Sequence, residues 1–186
     1  MNPPNESTQV LANLLTMQHT SDALDASVLR QAFGCFPSGV VGVCALVDGK
    51  PAGLAASTFV PVSLDPPLVA ICMQATSTTW PRLESASSLG ISVLGASHDQ
   101  AARQLAAKAA DTRFDGLGYR TSAAGAVFID DASAWIECSI HDVVAAGDHS
   151  IVLLQVDALT ITLDVEPLVF HASAFRQLQL KAEKAA

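Results

Sequence analysis

Basic residues are scarce in this sequence: ten Lys and Arg stand against eighteen Asp and Glu, a formal charge of −8 at pH 7. The few cations are scattered, which excludes nucleic acid as a ligand, because phosphate backbones are held by massed Lys and Arg. Long apolar runs are missing too. No uninterrupted stretch approaches the ~20 residues that span a bilayer, and Met1-Asn-Pro-Pro-Asn-Glu lacks the basic start and apolar centre of a secretion signal. The four cysteines, Cys35, Cys44, Cys72 and Cys138, include no Cys-x-x-Cys pair, so a cytoplasmic protein with reduced thiols is expected. The five histidines show no i,i+4 spacing and no cysteine pair stands with them; no metal site is expected. Gly-x-Gly-x-x-Gly after a strand is absent, and with it the Rossmann signature. Without Gly-x-Ser-x-Gly, a hydrolase triad has no anchor. No internal repeat is visible.

What is present is apolar. Half of the 186 residues are hydrophobic and only 15% are charged, enough for one domain with a substantial core. Residues 1–20 are polar and carry Pro3 and Pro4; a short helix and a flexible arm both fit. Ser21-Asp22 or Asp25 can cap a helix through Val28–Phe33, with Gly34 as its stop signal. Val40–Val47 is rich in β-branched residues and ends at Asp48-Gly49, a strong hairpin signal. Further strands are expected at Leu68–Met73, Leu89–Leu94, Ala132–Val144 and His149–Ile161, with Leu168–His171 closing the apolar set. Helices are expected at 81–87 and, from Ala-rich propensity, at 97–110. Arg113–Gly125 reads as loop or short β-structure, and 177–186 as a polar tail. At least six strands with few helices, and no regular alternation of the two, predict a mainly β, antiparallel barrel with helical additions spanning 21–176.

The chain is organised around residues 52–68. Gly53–Thr58 is a strand of small residues, and Ser63-Leu-Asp-Pro-Pro67 is a rigid turn. Small side chains leave room for something flat to approach the backbone, and two prolines hold the corner. An ordinary hairpin strand has the same composition. Downstream, Thr76-Ser-Thr-Thr79 places four hydroxyls before Trp80-Pro81. A helix start behind hydroxyls is either a phosphate seat or a simple cap. Among titratable groups His149 stands out, in Gly147-Asp-His-Ser150, at a strand start after a tight turn and beside a carboxylate. Such a histidine can donate a hydrogen bond to a ligand at neutral pH, or be an exposed turn residue. Asp130-Asp131 reads as a solvated turn.

Together, Arg30-Gln-Ala-Phe-Gly-Cys-Phe-Pro-Ser-Gly39-Val40, Gly53-Leu-Ala-Ala-Ser-Thr-Phe59, Ser63-Leu-Asp-Pro-Pro-Leu68 and Gly147-Asp-His149 resemble the short-chain flavin reductases, the reductase components of two-component flavin-dependent monooxygenases. The likeness runs in order from about Val28 to Arg176. It implies a Greek-key split β-barrel homodimer that binds FMN or FAD and takes hydride from NADH or NADPH. It implies that reduced flavin is then supplied to a partner monooxygenase. Carried over onto this chain, Pro37, Ser38, Gly39, Val40 and Ala55, Ala56, Ser57, Thr58 and Phe59 would hold the flavin ring, Ser77 and Thr79 the phosphate end, and His149 the nicotinamide. Ser38 and Ala55 stand where the family often has Thr. Phe170–Arg176 lacks the Gly-Arg pair common there, which leaves a flavin-binding electron carrier or storage module without a nicotinamide site as the alternative.

Overall fold

The computed structural model describes residues 25–179. The expected arm at 1–20, the caps Ser21 and Asp22, and the tail from residue 180 lie outside them. The chain divides into two compact units, residues 1–35 and 36–186. In the first, helix α1 (Ala26–Gly34) starts at Asp25, whose carboxylate accepts from the Ser27 N–H at 2.7 Å. The helix runs through Gly34 and is capped by Cys35 in ordinary helical geometry, so Gly34 is its last residue rather than a left-handed stop.

The second unit is built on a seven-stranded sheet. Its strands are β2 (Val41–Val47), β3 (Lys50–Ala56), β4 (Val60–Leu64), β5 (Pro67–Gln74), β6 (Leu89–Val93), β9 (Ala134–Ala146) and β10 (His149–Ile161), in the spatial order β3-β2-β6-β9-β10-β5-β4. Every pairing is antiparallel. The β2–β3 hairpin turns at Asp48 and Gly49, with φ of 53° and 72°, the left-handed pair that a tight hairpin turn requires. Crossovers place β6 beside β2 and β10 beside β5, a Greek-key path rather than a meander. The end strands β3 and β4 do not pair with each other, so the barrel is split.

Six of these strands send alternate side chains into one core, including Val43, Ala52, Ile71, Ile91, Cys138 and Leu154. Strand β2 is buried on both faces, since Cys44, with Val40 just ahead of the strand, enters a second core with Leu94, Leu105, Val127 and Leu168. That second core lies under helix α3 (Asp99–Leu105) and strand β8 (Val127–Ile129), which pairs with β7 (Tyr119–Thr121). Strand β1 (Ser38–Gly39) joins β11 (Val169–His171) and β12 (Ala174–Arg176) in a small separate sheet. Helix α2 (Trp80–Glu84) closes the list of α-helices among the described residues.

Three expectations need correction. Strand β4 falls where the sequence reads as the end of the small-residue strand and a turn; its register with β5 slips between Pro61 and Ser63, and a proline suits an edge strand. Helix α3 is half the expected 97–110 segment. His98 closes the turn before it by accepting the Gly95 N–H at 2.9 Å, and after it the Ala107 carbonyl is taken by Arg113 at 2.6 and 2.9 Å, so tertiary contacts override alanine propensity. Strand β9 starts two residues late, because Asp131 turns with φ of 59° and Ser133 donates to the Val93 carbonyl across the sheet edge.

Candidate functional site

A cleft of about 710 Å3 opens where the barrel is split. The small-residue strand forms one wall through Leu54, Ala55 and Ala56, continued by Ser57 and Thr58. Cys72, Met73 and Gln74 at the end of β5 form the second, with His149 beside them. The hydroxyl run Thr76–Thr79 makes a third, and Leu105–Lys108 after α3 a fourth, with Arg113 between. Thr58 joins the first two walls: its hydroxyl accepts from the Cys72 N–H at 2.9 Å and donates to the Cys72 carbonyl at 3.3 Å. That hydroxyl ties the gap between β3 and β5 where no ladder exists.

The hydroxyl run is differentiated. Ser77 Oγ accepts from the Trp80 N–H at 3.1 Å and so caps α2. Thr79, the residue at the cap position, makes no side-chain cap bond; it is buried, and its Oγ1 accepts from Arg113 Nη1 at 2.8 Å. Thr76 and Thr78 are exposed on the cleft and engage no partner among the described residues. The hydroxyls open to a ligand are therefore Thr76 and Thr78, and Ser77 and Thr79 are occupied in building the wall.

Arg113 is only 8% exposed. Nη1 donates to the Gly53 carbonyl at 2.7 Å as well as to Thr79, and Nε and Nη2 both donate to the Ala107 carbonyl. No carboxylate lies within ion-pair distance of it among the described residues. Burial pushes the guanidinium down from its ordinary value, with Cys44 opposing that shift and the charge of Arg82 adding to it. Behind Gly53 lies the Cys44 thiol, which burial pushes up to about 12.

His149 is half-buried at the start of β10, paired with Ala146 on β9 and Gln74 on β5. Its Nδ1 is 2.7 Å from Asp148 Oδ1. A carboxylate can only accept, so Nδ1 is the donor in this contact and Nε2 is left to face the cleft.

Of the residues singled out in the sequence, Ala55, Ala56, Ser57, Thr58, Ser77, Thr79 and His149 come together on this cleft. Pro37, Ser38, Gly39, Val40 and Phe59 do not line it. Ser38 and Gly39 form β1 opposite Phe170 and Val169, Val40 is in the second core, and Phe59 packs on the first. Segment 170–176 forms the β11–β12 hairpin and contributes nothing to the cleft. Sequence reasoning missed Arg113 and Lys108. Arg113 stands in a polar loop, and nothing local marks a side chain whose partner, Gly53, is sixty positions away.

A family model described as "Flavin reductase like domain" matches residues 33–179. A flavin reductase of Pseudomonas putida is 38% identical over 154 residues, covering 82% of this chain and 90% of that one. The reductase subunit of a flavin-dependent monooxygenase of Rhodococcus jostii is 28% identical over 159 residues, 86% of this chain and 81% of its own. The NADH:FAD oxidoreductase of Streptomyces globisporus, solved with NAD and FAD fragments, superposes with a TM-score of 0.81 at 34% identity, covering 91% of this chain and all of that one.

Proposed function

The chain belongs to the flavin reductase like family, and from that premise we propose that it is an NAD(P)H:flavin oxidoreductase supplying reduced FMN or FAD to a partner monooxygenase. The observation that carries the reading is one cleft holding a small-residue strand, open hydroxyls, a buried cation without a carboxylate partner among the described residues and a histidine held by a neighbouring carboxylate. That set fits a flat, anionic nucleotide. Bound flavin supplies the hydride-accepting chemistry. This chain's residues bind, orient and exclude water. Ala55 and Ala56 keep the floor low enough for a ring to lie on backbone. Ser57 and the Thr76–Thr79 wall offer polar groups at its edges, and His149 presents Nε2 to the nicotinamide carboxamide. Orientation of two rings needs no catalytic acid or base, so the Asp148–His149 pair at the cleft is not required as a proton-transfer dyad.

Pro37, Ser38, Gly39, Val40 and Phe59 bear on the flavin only from outside this cleft, through the strands they brace. The chain is also proposed to act as a homodimer in the cytoplasm. Edge strand β4 exposes Val60, Val62 and Leu64, and Leu159 and Leu163 are exposed as well; apolar surface on this scale is the mark of an interface. All four thiols are free, as a reducing compartment keeps them. No helix among the described residues is long and apolar enough to cross a membrane. Sedimentation giving a monomer at micromolar concentration with flavin present would refute the dimer.

The deciding experiment titrates the purified protein with FMN and with FAD by fluorescence quenching, then adds NADH or NADPH. Saturable quenching followed by flavin-dependent nicotinamide oxidation is expected. Flavin binding without nicotinamide oxidation would make the protein a carrier, and no binding would overturn the reading altogether.

A further inference from the structure

Arg113 is spent in an unusual way for a buried cation. Its hydrogen bonds go to neutral oxygens, and each oxygen belongs to a different wall of the cleft: Gly53 on the small-residue strand, Thr79 on the hydroxyl run, Ala107 after α3. A planar guanidinium can hold three directions at once, whereas an ammonium is a point charge on a flexible stem. The fork therefore sets the distances between three walls. Its charge, however, is left over. Burying a cation without a counter-charge is costly, and among the described residues no carboxylate approaches Arg113, while the charge of Arg82 adds to its own. Lys108 is a second cation on the cleft lining. In a chain of net charge −8, two cations and, among the described residues, no carboxylate on one cleft lining form a local field of opposite sign.

Resting on the reductase reading, we infer that Arg113 is the specificity-determining and positioning residue of the cleft: it fixes the three walls, and its unneutralised charge selects flavins that carry a phosphate over the uncharged riboflavin. FMN and FAD share the chemistry that answers this charge, an anionic phosphate attached to the flat ring. The guanidinium acts through the walls and through space; the open hydroxyls of Ser57, Thr76 and Thr78 and the exposed Lys108 ammonium are the groups available for direct contact.

The test compares FMN and riboflavin, which carry the same ring and differ in the phosphate. Dissociation constants for both are measured by fluorescence quenching in wild type, Arg113→Gln, Arg113→Lys and Thr79→Val, with a thermal melt of each protein. Wild type should bind FMN at least about tenfold more tightly than riboflavin, as an opposite charge near a poorly screened cation warrants. Arg113→Gln, neutral and without the fork, should bring the two affinities to within about threefold. Arg113→Lys, charged but without the fork, should weaken both ligands several-fold and keep the ratio. Thr79→Val should weaken both to a smaller degree and be non-additive with Arg113→Lys, since both remove the same contact.

An unchanged FMN-to-riboflavin ratio in Arg113→Gln would overturn the selection claim. Wild-type affinities for both ligands in Arg113→Lys would overturn the positioning claim. A lowered melting temperature with unaltered affinities would leave Arg113 a purely structural residue and overturn both. Should Arg113→Gln not fold, Arg113→Lys and Thr79→Val still decide positioning, and the wild-type ratio still decides selection: no preference for FMN refutes it. If wild type binds FMN selectively but does not oxidise nicotinamide, the reductase reading fails and this inference stands. If wild type reduces flavin while the variants match it, only this inference fails.

Discussion

Replacing Gly53 by alanine tests how closely the cleft floor is packed. A Cβ there would collide with Cys44 Sγ and lie 3.1 Å from both Cys44 Cβ and Phe114 Cζ. Cys44 faces Gly53 directly across the β2–β3 ladder and is fully buried, so its sulfur has no solvent to move into. The strand is held as well, because Arg113 grips the Gly53 carbonyl at 2.7 Å. Overpacking of a core costs about 1–3 kcal/mol, and with side chain and strand both pinned we place this substitution at about 2–3 kcal/mol. A domain of this size loses about 2–4 °C per kcal/mol, so the melting temperature should fall by about 4–12 °C in a circular-dichroism melt. Gly39→Ala is the control, since a Cβ at Gly39 meets nothing within 4 Å; it should stay within about 0.5 kcal/mol of wild type. The strain also pushes β3 toward the cleft, so flavin affinity should fall in Gly53→Ala and not in the control. If Gly53→Ala melts together with Gly39→Ala, the floor is looser than described and the argument from Cys44 and Arg113 is refuted.

Four further outcomes are expected. Ala56→Leu places a branched side chain on the strand where a ring would lie and should weaken flavin binding by more than about tenfold, ~1.4 kcal/mol; wild-type affinity in a quenching titration would move the ring elsewhere. His149→Ala should raise the apparent KM for NADH or slow flavin reduction by several-fold, the worth of one neutral hydrogen bond at about 0.5–1.5 kcal/mol, with flavin affinity unchanged; equal stopped-flow rates at all NADH concentrations would sink its assignment. Native alkylation should modify exposed Cys35 and spare Cys44 and Cys138, whose thiols burial pushes to about 12. The unfolded chain sheds those two thiol protons above about pH 9 while the folded chain keeps them, so stability should decline as pH rises from 9 toward 12; a flat stability profile across that window would contradict their burial.

The parts of the fold legible in the sequence are those fixed locally. Asp48-Gly49 marks a hairpin because two successive left-handed residues are needed there, and the structure puts both in that region. The Gly53–Ala56 wall is legible as a strand with room on it, since Gly53, Ala55 and Ala56 are small, though an ordinary hairpin strand shares that composition. The hydroxyl run is legible as a group but not by member. Ser77 and Thr79 look like Thr76 and Thr78 until Trp80 and Arg113 claim them from elsewhere. The end of α3 is hidden for the same reason, since Ala107 has the propensity to continue a helix and is stopped by a guanidinium six residues on. Strand β4 is hidden by Pro61, which reads as a breaker and is tolerated because the strand has a neighbour on one side only. Resemblance carried the flavin contacts to Pro37–Val40, whose places in β1 and the second core depend on pairing with Val169 and Phe170 more than a hundred positions away.

Charge decides how such a chain can take anionic nucleotides at all. Flavin nucleotides and NAD(P)H are anions, and a protein of net charge −8 repels them on average. Exposed carboxylates are screened beyond about 8 Å at physiological ionic strength, so most of the eighteen acidic residues act weakly on the cleft. A buried guanidinium is screened far less, and it is there that Arg113 sits, without a carboxylate among the described residues to cancel it. The sign felt by a ligand inside the cleft is thus set by a few cations and opposed to that of the molecule as a whole. The same arrangement suits a protein that must let go of its product. Its attraction is confined to the cleft, so a departing nucleotide passes within a Debye length from a region that holds it to a surface that does not.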